Sequence, residues 1–284
     1  MNGAYSGKTA KAQRWKYRKA TIADARRRPG GMSNGPEKFM LLAAANRFER
    51  NNFAVEHARL AADVYDHTPA DSHTPEGWKN ISSDPDAMTK FGLRSTDLSI
   101  PNTNFRMQVY APDPDVFGAD FKPTVVFQGT DPSSWDDWSN NFRQGAGANS
   151  PYYEKAVEIG TKLRRKAADV DIAGHSLGGG MASAASVASG LPATTYNAAG
   201  LNPETVAKYG GTVTTPSIQA YRVDGEVLTW AQENSFLKGE MPKAMGEIFV
   251  LPGSGGMVER HGMREVIDGI EMAVSNRSAT AVNV

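Results

Sequence analysis

Residues 170–189 constrain this chain more than any other stretch. Val170-Asp171-Ile172-Ala173 reads as a short strand, Gly174-His175-Ser176-Leu177-Gly178 fits G-x-S-x-G, and Leu177 to Ser189 reads as a helix of small residues stopped by Gly190-Leu191-Pro192. A strand, a strained turn and a helix in that order lift a serine hydroxyl above the edge of a sheet. The five-residue pattern alone is a weak signal, and its context is what makes it specific. Gly178-Gly179-Gly180 costs the start of the helix about 1 kcal/mol per residue relative to alanine. Close packing beneath a nucleophile would offset that cost.

The rest of the chain suits such a turn. Helical spacing runs from Phe39 to Tyr65, and residues 66–100 read mostly as surface loops. Phe105 to Tyr110 alternates as a strand, and Thr124-Val125-Val126-Phe127 returns beside it. Beyond that, strands and helices alternate. Helices are expected at Tyr152–Ala168, Pro203–Tyr209 and Met263–Val274, and strands at Thr194–Asn197, Ile218–Val223 and Ile248–Leu251. Alternation of this kind implies an α/β fold with a mostly parallel central sheet and helices on both faces, after an N-terminal helical extension. The serine turn in its strand–helix context is what suggests the α/β-hydrolase type.

Charge divides the chain at Gly30-Gly31. Residues 1–31 hold nine basic residues against one acid, Asp24, so the remainder must carry −8 for the net charge of zero. The expectation is a basic, flexible N-terminal arm over 1–31 and a single hydrolase domain over 32–284. A neutral chain is not built as a nucleic-acid binder. The sequence contains no cysteine, which excludes disulfides, thiolate metal sites and cysteine nucleophiles. No run of about 18 apolar residues suggests a membrane span. After Met1 the N-terminus lacks the apolar core of a signal peptide, so the expectation is a protein cytoplasmic at synthesis and, if exported, exported by a signal-independent route.

Serine is a weak nucleophile without a base. Of five histidines, His57 falls in a helical stretch, His67 and His73 in polar loops, and His175 beside the serine, pointing away from the attack path. His261 lies between the last strand and the last helix, where an α/β hydrolase carries its base. The acid should follow a strand between Ser176 and His261. Asp224 and Glu226 compete for that role, and Asp224, directly off the strand ending at Val223, is favoured. Backbone N–H groups of Leu177 and of Thr130, after Phe127-Gln128-Gly129, are the candidate oxyanion hole.

Several segments together resemble a known group. Thr124 to Thr130 with Trp135, Asp137-Trp138 and Asn141, followed by Gly174 to Gly180, is similar to the corresponding blocks of fungal-type (class III) lipases. Asn141 to Gly145, Tyr196 to Leu201, Gly225 to Thr229 and Arg260 to Met263 resemble a bacterial branch that includes lipase and phospholipase effectors. The resemblance implies a lipid acyl-ester hydrolase in which Ser176, His261 and a carboxylate form the triad and Thr130 and Leu177 the oxyanion hole. Gln128 departs from the fungal-type arginine, and Gly225-Glu226-Val227-Leu228 from the usual Asp-x-Val.

Trp135, Trp138, Trp230 and Phe236 lie in apolar segments suited to an acyl pocket or a cover over it, so they are the candidate substrate residues. The expected partner is a lipid or ester substrate met at a membrane surface. No metal or cofactor is expected, since no histidine and carboxylate cluster has ligand spacing. Two other readings compete: a short-chain carboxylesterase, and a catalytically idle hydrolase fold used as a binding module. Keeping both Ser176 and His261 argues against the second.

Overall fold

The computed structural model describes residues 7–66, 74–130, 150–202, 204–234 and 242–282. In chain order these form α1 (Gly7–Arg27), α2 (Pro36–Asp63), β1 (Trp78–Asn80), α3 (Pro85–Lys90), β2 (Met107–Pro112), α4 (Pro114–Phe117) and β3 (Thr124–Phe127). There follow α5 (Pro151–Arg165), β4 (Asp171–His175), α6 (Leu177–Ser189), β5 (Ala193–Tyr196), α7 (Thr205–Lys208) and β6 (Ile218–Val223). The described chain closes with α8 (Val227–Asn234), β7 (Glu247–Leu251), α9 (Met257–His261) and α10 (Met263–Val282).

The seven strands pair in sequence order, β1 to β7. β1, β2 and β3 run antiparallel to one another, and β3 through β7 are parallel. Pairings of Phe127 with Gly174, His175 with Tyr196 and Val223 with Leu251 align the carboxyl ends of these strands along one edge. Chain segments that bear chemistry leave the sheet there.

Right-handed crossovers that always step in the same direction put their helices on one face. α5 and α6 cover that face, where Ile159, Leu163 and Ala185 pack with Val125, Phe127 and Ile172. The alternate strand residues Val126, Ala173, Tyr196 and Tyr221 point the other way. They are covered by Ala54, Ala58 and Ala61 of α2 and by Val266 and Ile270 of α10. Helices from the two ends of the described chain thus close the second face.

Two expectations change. The 66–100 stretch holds β1 and α3 as well as loops. Three residues are too few for β1 to show a period, whereas α3 carries a readable cap: Asp84 accepts from the N–H groups of Asp86 and Ala87 at 3.1 and 3.0 Å. The basic arm is the larger correction. Residues 7–27 form a docked helix, with Trp15 buried against Phe53, Phe117 and Phe121 and its indole N–H donating to Asp120 at 2.7 Å. Lys11 reaches both oxygens of buried Glu56 at 2.7 and 2.8 Å, and Arg14 and Lys19 pair with Glu76 and Asp120. The positive helix and the negative body therefore neutralise each other internally. No described helix is long and apolar enough to cross a membrane.

Candidate active site

β4 ends at His175, and Ser176 follows with φ +57° and ψ −126°, a sparsely populated region for a residue with a side chain. Neighbouring backbone holds the bend. The Ser176 N–H donates to Tyr196 O at 3.0 Å, and its carbonyl accepts from Gly179 and Ala199 at 2.9 Å each. The glycines allow α6 to lie against the sheet. A Cβ on Gly178 would come within 2.2 Å of Phe127 O, and one on Gly180 within 2.1 Å of the Tyr153 hydroxyl. Close approach, with no chemistry of its own, accounts for this glycine run.

His261 is the last residue of α9, and its Nε2 lies 2.9 Å from Ser176 Oγ. Its Nδ1 lies 2.6 Å from Glu226 Oε2. A carboxylate only accepts, so Nδ1 carries the proton and Nε2 takes the serine hydroxyl's bond. All three side chains are buried.

Glu226 arrives by a tight turn. Its N–H donates to Val223 O at 3.2 Å, and Gly225 at the third position has φ +68°, which suits glycine. The carboxylate accepts from the N–H groups of Leu228, at 2.8 Å, and Thr229, in the manner of an N-cap on α8. Burial opposes its charge, but the bonds from His261, Thr229 and Leu228 outweigh that and hold the carboxyl below its usual range.

Asp224, the favoured acid from the sequence, occupies the exposed corner of the same turn. Its backbone carbonyl accepts from Arg260 Nη1 at 2.9 Å, whereas the His261 ring is met by Glu226. The residue directly off the strand is left at the corner, and the turn carries the one two positions later inward.

Leu177 opens α6, so its N–H belongs to the first turn, which has no intrahelical acceptors. The strand-end loop after β3 runs alongside: a Cβ on Gly129 would come within 3.0 Å of Ser176 Cβ. Thr130 is the next residue and is half-buried. Trp230 lies one turn beyond Glu226 on α8, its N–H donating to Glu226 O at 3.0 Å and its side chain 50% exposed. Trp135, Trp138 and Phe236 lie outside the described residues.

Asn197 was not singled out as a site residue from the sequence. Its Nδ2 donates to the carbonyls of Arg260 and His261 at 3.0 and 2.9 Å, and its Oδ1 accepts from Val223 N at 2.8 Å. One side chain thus clamps the base-bearing helix to the strand that leads to Glu226. Its positive φ of 42° is tolerable for asparagine, and its one mark in the sequence is its place in the Tyr196-to-Leu201 segment that resembles the bacterial branch.

Among the described residues no group of three or more His, Asp or Glu is placed to hold a metal. A cleft of about 590 Å³ between α1, α2 and the segment at Pro75 contains none of Ser176, His261 and Glu226. Its walls include Lys11, Arg14, Glu56 and Glu76, already paired with one another.

A strained serine, a histidine and a carboxylate at the carboxyl edge of a mostly parallel sheet define an α/β hydrolase. Residues 56–266 match the Tle-like phospholipase domain, and the chain belongs to that family. It is 30% identical over 202 residues to the extracellular phospholipase A1 of Serratia liquefaciens, a stretch covering 68% of this chain and 58% of that protein. The chain thus spans less than two thirds of that relative's length. The resemblance to bacterial lipases and phospholipases is borne out.

Proposed function

We propose that this chain is a serine hydrolase of lipid acyl esters, of phospholipase A type, working through Ser176, His261 and Glu226. The observation that carries the reading is the hydrogen-bonded row from Ser176 Oγ through the His261 ring to Glu226, at 2.9 and 2.6 Å. His261 Nε2 takes the hydroxyl proton as Ser176 Oγ attacks the ester carbonyl, and Glu226 steadies the imidazolium that forms. The oxyanion is met by the N–H groups of Leu177 and Thr130. The C–O bond then breaks, His261 returns its proton to the leaving alcohol, and the acyl group stays on Ser176. Water activated by the same histidine attacks this acyl-enzyme, and the fatty acid leaves with Ser176 restored.

The lipid substrate class is supported by the family and by the name of the Serratia relative. Half-exposed Trp230, beside the acid, is the described candidate for acyl contact at a lipid–water surface. Export from the producing cell is part of the same reading, in keeping with the bacterial effector resemblance.

Wild type and Ser176→Ala are compared on p-nitrophenyl esters from C2 to C16 and on phosphatidylcholine vesicles. Hydrolysis absent from the variant and favouring long chains or vesicles is expected. Loss confined to short soluble esters would mean a carboxylesterase. Equal inactivity of both proteins would mean an idle fold.

A further inference from the structure

Resting on the hydrolase reading above, we propose that Tyr65 and His175 are positioning residues that tie the oxyanion-side loop to the backbone of the base. Tyr65 follows the end of α2 and reaches between the loop after β3 and the serine turn. Its hydroxyl accepts from Gly129 N–H at 3.0 Å and lies 2.8 Å from His175 Nδ1. His175 Nε2 lies 2.7 Å from the His261 carbonyl. Since a carbonyl only accepts, Nε2 carries the proton, so Nδ1 accepts from the tyrosine hydroxyl. The direction is then fixed along the whole row, from Gly129 N–H to Tyr65, to His175, to His261 C=O.

Four separate parts of the chain meet in this row. Shape alone does not account for it, because apolar side chains at 65 and 175 would fill the space without burying polar groups. Gly129 also fits the arrangement: a Cβ there would come within 2.4 Å of the Tyr65 hydroxyl, so glycine admits that bond. Burial, with the nearby His261 acting in the same direction, pushes the His175 pKa down to about 3, which keeps its ring neutral at ordinary pH.

The consequence is geometric. Gly129 N–H lies one peptide before the Thr130 donor, and the His261 carbonyl belongs to the residue whose ring contacts Ser176. The Tyr65 hydroxyl therefore links the loop of the oxyanion donor to the base, whose carbonyl Asn197 also holds. Displacements near 1 Å at such positions can cost on the order of 100-fold in rate.

The test is Tyr65→Phe, which keeps the ring and removes the row's central link. On a soluble short-chain ester, kcat should fall about 10- to 100-fold with KM within about twofold of wild type. The melting temperature should stay within a few degrees. His175→Gln, which retains a donor and an acceptor, should keep more kcat than His175→Leu, and Tyr65→Phe combined with His175→Leu should be little worse than the poorer single variant. Unchanged kcat in Tyr65→Phe, or a loss seen only in KM, would overturn the proposal. A second readout does not need turnover: the downfield proton signals of His175 Nε2–H and His261 Nδ1–H. In Tyr65→Phe the first should broaden away and the second shift, whereas both persisting unshifted would sink the idea. Equal inactivity of wild type and Ser176→Ala would refute the hydrolase reading alone, and the proton signals then decide this one.

Discussion

Glu226 holds His261 Nδ1 at 2.6 Å while the same carboxylate caps the first turn of α8. The proposed triad acid is thus fixed by the helix it starts. This arrangement joins a local rule of helix capping to catalysis, because N–H groups at a helix start favour the ionised carboxylate.

Glu226→Gln should therefore lower kcat on a soluble ester by about 10³- to 10⁴-fold with the fold intact, since it removes the charge that stabilises the imidazolium. Asp224→Asn, at the exposed corner, should stay within twofold of wild type. Steady-state kinetics on the two variants decides between the acids. A large loss in Asp224→Asn with little in Glu226→Gln would reverse the assignment.

Acidification should destabilise the protein before carboxylates titrate. The folded pKa of His175, about 3, lies below its ordinary 6.5. Below pH 6.5 the unfolded chain gains a proton that the folded chain refuses, so stability present above 6.5 is lost as pH falls toward 3. For His175 alone the loss from pH 7 to pH 5 is about 2 kcal/mol. His57, also pushed down chiefly by burial, acts with the same sign. Glu226, held below its usual range, adds its loss only as pH falls through its own lowered value. Urea unfolding at pH 7 and pH 5 measures the slope, and His175→Gln should flatten it. An equal slope in the variant would count against a buried neutral His175.

Much of this was legible in the sequence for physical reasons. A strained serine needs a strand before it and small residues after it, and both leave compositional marks around Ser176. His261 could be placed because the base follows the last strand. Choosing between Asp224 and Glu226 was different, since both lie in one turn and only its closure, with Gly225 at positive φ, determines which faces inward. Tyr65 and Asn197 act through contacts 64 residues away in sequence, which no local pattern records. The N-terminal helix read as a loose arm because its charge dominated, while the partners of that charge, such as Glu56 and Asp120, lie far along the chain.

The glycines of α6 differ in what they touch, and the difference is measurable. Gly178 faces the backbone of β3, which cannot retreat, so Gly178→Ala should cost about 1–3 kcal/mol net of the better helix propensity of alanine. Gly180 faces the Tyr153 hydroxyl, which donates to Gly200 O at 3.0 Å. Gly180→Ala should also destabilise, but Gly180→Ala with Tyr153→Phe should regain part of the loss because the clashing oxygen is gone. Chemical denaturation of the four proteins gives the coupling. Strict additivity would show that the hydroxyl is not the obstacle.

Docking of α1 rests more on Trp15 than on its many charges. The indole is buried among Phe53, Phe117 and Phe121, and truncating a core tryptophan costs about 3–5 kcal/mol. By contrast, the Arg14–Glu76 pair is 55% and 48% exposed at its side chains, and such pairs contribute about 0–1 kcal/mol. Trp15→Ala should release α1 from the body, so that trypsin cleaves at its lysines and arginines at least tenfold faster than in wild type. Arg14→Ala should change that rate less than about threefold. High salt alone should not release the helix, because Lys11 and Glu56 are buried and poorly screened. If trypsin cuts wild type and Trp15→Ala equally fast, α1 does not hold to the body in solution and the loose arm read from the charge pattern returns.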